Sequence, residues 1–197
     1  MMLATVGATS IGLGLMMVGQ TSLGGPFRQF ALLAPRGRDY GDGPNDFPVN
    51  KTAEAVGVTP DMTGPGWRLE LKGGETVSLS REQLLAMPQH TDVLPIACVE
   101  GWSTTQTWTG VRLRDLATAA GAPGASRVLV KSLQEAGSFN EAILSATQVD
   151  DEQSLLALRV NGVDISMDHG FPARVIVPAL PGVHNTKWVS SMEFDAA

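Results

Sequence analysis

The chain holds a single cysteine, Cys98, among 197 residues. That scarcity excludes an internal disulfide, a cysteine-rich zinc finger and a CxxC redox pair, and leaves the redox compartment open, because an unpaired thiol is compatible with either side of a membrane. Clustered positive charge is also missing, with 14 Lys and Arg against 20 Asp and Glu and a net charge of −6. Nucleic-acid binding needs clustered Lys and Arg to displace counterions from phosphates, so no such partner is expected. No GxxxxGK[ST], GxGxxG or GxSxG run occurs, and His90, His169 and His184 are too scattered for an HExxH-type zinc site. Hydrolase and nucleotide-binding readings fall with them. Charged residues supply only 17% of the chain against 43% hydrophobic, below the roughly 25% charged of an average globular protein, which implies a soluble domain joined to an apolar segment.

That segment is Met1 to Phe27, which carries no charged side chain. About 20 apolar residues cross a hydrocarbon core, so a transmembrane helix over 1–27 is expected, with Ala8/Gly12 and Ser10/Gly14 as small-residue pairs that let a partner helix approach. A secretory signal is the rival reading, weakened by the missing basic n-region and the length of the stretch. Arg28, Arg36 and Arg38 follow it, and a positive-inside count would leave the domain in the cytoplasm. Residues 28–66 read as an extended lead-in crowded with Pro, Gly, Asp and Asn, wrapping the surface of a domain over 67–197.

Within the domain, "WRLEL" and "TVSLS" alternate around "KGGE" as a hairpin. Ser80 and Gln83 form a capping-box pattern at the head of a short helix that Pro88 ends. "DVLPIAC" is expected as an inner strand with the cysteine at its C-terminal end, and "VRLRDLATAAG" as a helix. "RVLVKS" reads as a strand and "FNEAILSATQVDDEQ" as a short helix or irregular excursion. Asn161-Gly162 is the dipeptide of a type I′ hairpin turn, and "ARVIVPA" and "KWVSSMEF" read as two last strands. Hairpins with a few inserted helices and no βαβ alternation make an α+β fold.

The chemistry concentrates around "PIACVEGWSTTQTWTG", residues 95–110. A free cysteine is most often a small buried hydrophobe, but here Glu100, Gly101 and the hydroxyls of Ser103, Thr104, Thr105 and Thr107 follow it, a composition suited to a lined cavity. Thiolate is moreover a soft ligand for heavier metals. Trp102 and Trp108 fit either core packing or a pocket wall. Arg174 and Lys187 sit in or beside apolar strands, where an isolated charge must be paired or face a cleft; with His169 and "HNTK" (184–187) they would make an anion site, the alternative being a solvated edge with a surface salt bridge. The triplet "NKT" at 50–52 matches a glycosylation acceptor without a context that would give it meaning.

Together these residues resemble the molybdopterin-binding domain of the sulfite oxidase fold, and more closely the membrane-associated bacterial oxidoreductases that include the catalytic subunit of periplasmic methionine sulfoxide reductase. "PIACVEGWSTTQTWTGVRLRDL" is similar to the family's metal-site segment and "VNGVDISMDHGFPARVIVPALPGVHNTKWVSSMEF" to its pterin-binding segment, the likeness running from about residue 44 to 194. The resemblance implies mixed β-sheets with short helices and a molybdenum–molybdopterin cofactor. It implies Cys98 as metal ligand with Glu100 beside it in the active site. His169, Arg174, Asn185, Thr186 and Lys187 would hold the pterin and its phosphate. Asn45 and Asn50 compete for a cofactor-proximal position in the lead-in, and Ser132 falls near a further pterin contact.

The sequence departs from sulfite oxidases proper. A basic stretch follows their ligand cysteine, whereas Val99–Glu100–Gly101–Trp102 brings a negative charge, which argues against sulfite as substrate. The expected function is oxygen-atom transfer at a membrane-tethered molybdenum centre, with a sulfoxide or N-oxide as the small-molecule oxo donor. A sulfite-oxidising enzyme, a non-catalytic tethered module that keeps the fold, and a structural subunit packing Cys98 are the alternatives. Neither the family's C-terminal dimerisation domain nor a haem-binding signature is found, so electrons are expected from a membrane haem or quinone subunit. The resemblance implies an extracytoplasmic domain at the cell membrane, against the leaning of the local arginines.

Overall fold

The computed structural model describes residues 40–98, 102–137, 140–178 and 184–195. The apolar stretch 1–27 and Glu100 lie outside the described residues, and among those described no helix is long and apolar enough to cross a membrane.

From Tyr40 to Gly66 the lead-in is irregular apart from a 3-10 turn at Glu54–Val56 and a four-residue helix, α1 (Pro60–Thr63), with proline in its first turn. Pieces this short leave no period in a sequence. Hydrogen bonds fasten the lead-in to the domain. Asn45 Nδ2 donates to Asp164 O at 3.1 Å, Ala53 N–H donates to Asp168 Oδ1 at 2.9 Å, and the Thr63 hydroxyl donates to Met167 Sδ at 3.3 Å. Three anchors thus tie the lead-in to one stretch of the domain, residues 164–168.

Leu69 and Leu71 are buried and Glu70 and Lys72 exposed, the period of two that builds β1 (Leu69–Lys72), which pairs antiparallel with β2 (Thr76–Leu79) as the hairpin pattern requires. Ser80 then caps α2 (Arg81–Ala86) with the reciprocal bonds of a capping box to Gln83. β3 (His90–Ala97) and β4 (Ser103–Arg112) form a long antiparallel hairpin, followed by α3 (Leu113–Ala119), β5 (Arg127–Ser132), β6 (Glu141–Ser145) and α4 (Ala146–Asp150). β7 (Leu155–Val160) turns through Asn161 and Gly162, both at positive φ, into β8 (Val163–Asp164). After a 3-10 turn at Met167–His169 come β9 (Arg174–Ile176) and β10 (Val189–Asp195).

Two five-stranded sheets result. The first has the order β2-β1-β10-β5-β6, with β1 and β10 parallel; the second has β3-β4-β7-β8, with β9 also paired to β7. The fold is therefore α+β with mixed sheets and short helices, as expected. Three local expectations are corrected. β3 lies at a sheet edge, not inside one: Pro95 removes a donor from the ladder, and Val93 is 65% exposed. The hydroxyl run after Cys98 is strand β4, whose β-branched threonines pack on the pleated surface; only from Leu113 does the chain turn helical, because Val111 and Arg112 end that strand. The 139–153 stretch holds β6 before its helix, since Ala142 and Leu144 alternate with exposed neighbours.

β7 shows how the core is divided. Leu156 and Leu158 point into the main core with Leu69, Val130, Val175 and Met192, while Leu155 and Ala157 face a second cluster with Phe47, Ile96, Trp108 and Ile176. A strand buried on both faces reads as an unbroken apolar run. In β9, Val175 joins the main core, so Arg174 and Ile176 turn to the side of Trp108. The Arg174 guanidinium lies 5.6 Å from the Trp108 ring centroid, and a cation is thereby carried into the interior.

Candidate active site

Five chain segments converge on one cleft open to solvent. β3 delivers Cys98 just past its last residue, where the Cys98 N–H donates to Trp102 O at 2.8 Å and closes the strand connection. β9 delivers Arg174 and the 3-10 turn delivers His169. The segment entering β10 delivers Asn185, Thr186 and Lys187, held beside β9 because Val175 N–H donates to Thr186 O at 2.9 Å and Val177 N–H to Asn185 Oδ1 at 2.8 Å. Trp188, at φ 51, turns the chain from there into β10. The lead-in contributes Pro48, Val49, Asn50 and Lys51.

Gly170 lets these parts close up. Its φ is 115°, and a Cβ there would stand 3.1 Å from Lys187 Cβ and 3.2 Å from Arg174 Cβ, so both a left-handed backbone and a missing side chain are needed. Lys187 Nζ donates to Lys51 O at 2.5 Å and Asp168 O at 2.8 Å and lies 4.4 Å from the Trp188 ring centroid. The ammonium thus pins lead-in, turn and β10 together. His169 stacks on Phe47 with ring centroids 3.6 Å apart, and its Nε2 is 2.9 Å from Asn45 O.

The electrostatics of the cleft are dominated by burial. Desolvation lowers His169 to about 4, with Arg174 and Lys187 acting in the same direction against the hydrogen bond to Asn45, so the ring is neutral near pH 7. Desolvation also lowers Arg174 to about 10, which leaves it charged, and Lys187 to about 7, helped by repulsion from Arg174. No Asp or Glu is among the described lining residues. Arg174 Nε, Asn185 Nδ2 and Thr186 Oγ1 are buried without a hydrogen-bond partner, although buried polar groups are almost always paired. These orphaned groups, one of them on the charged Arg174 itself, lie with Lys187 around one cleft, a set whose chemistry suits an anion.

Of the residues expected from sequence, Cys98, Asn50, His169, Arg174, Asn185, Thr186 and Lys187 line the cleft. Asn45 does not; its side chain accepts from Ser166 N–H at 2.8 Å and donates to Asp164 O, and its carbonyl meets His169. Ser132 stands behind the wall, donating from its hydroxyl to Lys187 O at 2.7 Å and accepting from Gln134 N–H at 3.0 Å. The hydroxyls of Ser103, Thr104, Thr105 and Thr107 are not in the lining, because strand geometry carries them away from Cys98 along β4. Lys51 and Gln134 line the cleft and were not singled out. A "VNK" triplet in an aperiodic lead-in gave no signal beyond its cation, and Gln134 follows a strand end that points to no chemistry.

Among the described residues no group of three or more His, Cys, Asp or Glu is placed to hold a metal ion. Cys98 therefore has no described companion ligand from the protein, and the orphaned donors and basic groups suit the phosphate of an organic chelator. Fold and site together place one thiol and a set of buried donors and basic groups around a single cleft. Residues 56–197 match the family described as "Oxidoreductase molybdopterin binding domain", and the chain belongs to that family: it is a molybdopterin-dependent oxidoreductase whose cofactor is molybdenum–molybdopterin. It is 33% identical over 154 residues to the uncharacterized oxidoreductase YuiH of Bacillus subtilis, covering 75% of this chain and 73% of that protein. With mouse mitochondrial sulfite oxidase it shares 29% identity over 166 residues, 70% of this chain but 30% of the enzyme. Its fold is similar to the sulfane dehydrogenase SoxCD of Paracoccus pantotrophus, with a TM-score of 0.61 and 22% identity over 68% of this chain and 39% of that one.

Proposed function

We propose that this protein reduces a sulfoxide or N-oxide by oxygen-atom transfer from a membrane tether, with Cys98 as the protein's ligand to molybdenum. One observation carries the reading: the sole cysteine opens into the same cleft as buried Arg174 and half-buried Lys187, with unpartnered donors and no described lining carboxylate. When bound, the cofactor supplies two-electron oxygen-atom exchange. The chain's own residues hold and orient. Arg174, Lys187, Thr186 and Asn185 receive the phosphate and pterin. Neutral His169 offers a ring nitrogen fixed by its bond to Asn45 and its stack on Phe47. Asn45 and Ser132 position residues that touch the cofactor and do not touch it themselves. Glu100 is assigned the proton-handling role beside Cys98, and Asn50 the rim.

Sulfoxide reduction consumes two electrons and two protons and yields the sulfide and water. The electrons are assigned to a haem or quinone subunit in the membrane, and the catalytic domain to the extracytoplasmic side with residues 1–27 as anchor. Protease accessibility of the domain in intact cells tests that placement.

The chemistry is tested by purifying the protein from cells that make the cofactor and following sulfoxide- and N-oxide-dependent oxidation of a reduced viologen. Activity and molybdenum are expected together in the wild type. Since loss of mere supporting residues at metal sites costs about 10–100-fold, Cys98→Ser is expected to lose about 100-fold or more. Undiminished molybdenum-dependent activity in that variant would refute the ligand assignment. Sulfite oxidation is the second reading, favoured by the likeness to the mouse enzyme; sulfite-dependent reduction of an electron acceptor by the same preparation would select it.

A further inference from the structure

The polar atoms lining the cleft are of two kinds. Asn185 spends its Oδ1 on Val177 N–H, which leaves Nδ2 to donate, and Arg174 Nε and Thr186 Oγ1 are also buried without a partner. With the ammonium of Lys187 these groups suit an acceptor-rich phosphate. Gln134 is of the other kind. It lines the same cleft and is 4% exposed. Its main-chain N–H donates to Ser132 Oγ at 3.0 Å, and its side-chain Nε2 donates to Ala136 O at 2.5 Å. A carbonyl only accepts, so the nitrogen of this amide is fixed on the Ala136 side and Oε1 is the remaining branch. Among the described residues Oε1 has no hydrogen-bond partner.

Gly137 makes room for that arrangement. Its φ is 102°, and a Cβ there would stand 3.0 Å from Gln134 Nε2, so the turn needs a residue that tolerates a left-handed backbone and carries no side chain. An amide oxygen on so buried a side chain costs free energy unless it is paired. A phosphate oxygen does not pair it, because both groups accept. The missing partner is a donor.

We infer that Gln134 is a cofactor-binding residue whose Oε1 accepts a hydrogen bond from an N–H of the pterin ring system, while the donors around Arg174 and Lys187 take the phosphate. His169 adds a second acceptor to the lining. Its Nε2 meets the Asn45 carbonyl, so in the neutral ring that nitrogen carries the proton and Nδ1 keeps its lone pair. The organic chelator offers both kinds of group, ring N–H and amino donors on the pterin and acceptors on the phosphate, which matches a cleft lined by both. The inference rests on the cofactor and not on the direction of the reaction.

Cofactor retention reads this without turnover. Loaded protein is held in fresh buffer, samples are gel-filtered at intervals, and the pterin still bound is counted by its fluorescence after denaturation. Gln134→Met keeps the side chain's length and removes both amide partners; it is expected to release pterin about tenfold faster than wild type. Gln134→Glu loses the donor to Ala136 but keeps an acceptor for the cleft, and is expected to stay within about threefold of wild type. A purely structural amide would make the two variants equally leaky. In wild-type protein, the side-chain NH₂ pair of Gln134 in the ¹H–¹⁵N spectrum is expected to shift between the cofactor-free and loaded forms. Equal release from Gln134→Met and wild type, a Gln134→Glu as leaky as Gln134→Met, or an amide pair unmoved by the cofactor would overturn the inference. Sulfoxide reduction enters none of these measurements, so its failure leaves them standing.

Discussion

Two residues make the protein's stability depend on pH in opposite parts of the scale. An unfolded lysine keeps its proton to about pH 10.5, whereas Lys187 in the fold releases it near 7. Between those values the unfolded chain binds more protons, so cofactor-free protein is expected to gain stability as pH rises from 7 towards 10. Lys187→Met should flatten that slope in urea unfolding measured across the range; an equal slope in the variant would place the titration elsewhere. His169 works at the acid end. It stays neutral down to about 4 in the fold but takes up a proton near 6.5 when unfolded, so its contribution is lost as pH falls from about 6.5 through about 4. His169→Phe, which keeps a ring for Phe47 to stack on, is expected to reduce this acid sensitivity.

At the scale of elements, the site depends on how short segments are fastened. Gly170→Ala would impose a side chain on a left-handed backbone and push Lys187 and Arg174 apart, at an expected cost of about 1–3 kcal/mol and with weaker cofactor retention, both read from unfolding midpoints and molybdenum content. Asn45→Ala would leave Ser166 N–H without its partner, costing about 1–3 kcal/mol although the side chain is outside the cleft. The hairpins were legible because Asn161-Gly162 and the alternation around Gly73-Gly74 are local signals. Arg174 and Lys187 stood out in the sequence as charges in or beside apolar strands, and both line the cleft. β4 was not, because its threonines look like polar lining until the pairing with β3 is known. The edge position of β3 depends on which strands lie beside it, which no window of sequence contains. Asn45 and Ser132 were identified by resemblance and turned out to support the site from behind it. Lys51 is brought to the cleft by a lead-in without period, through the bond from Lys187 to its carbonyl.

As a whole, the molecule joins an edge-strand thiol to a cation set more than seventy residues later in the chain, and the second sheet is what brings them together. β9 reaches Cys98 only through β7 and β4, so the two halves of the site are assembled by folding and not by local sequence. The central claim is that the sulfur of Cys98 is bonded to molybdenum held otherwise by its organic chelator. X-ray absorption at the molybdenum edge measures this directly in loaded wild type and Cys98→Ser protein. The account predicts one fewer short Mo–S scatterer in the variant with the chelator's sulfurs retained, and an identical sulfur shell in the two proteins would contradict it.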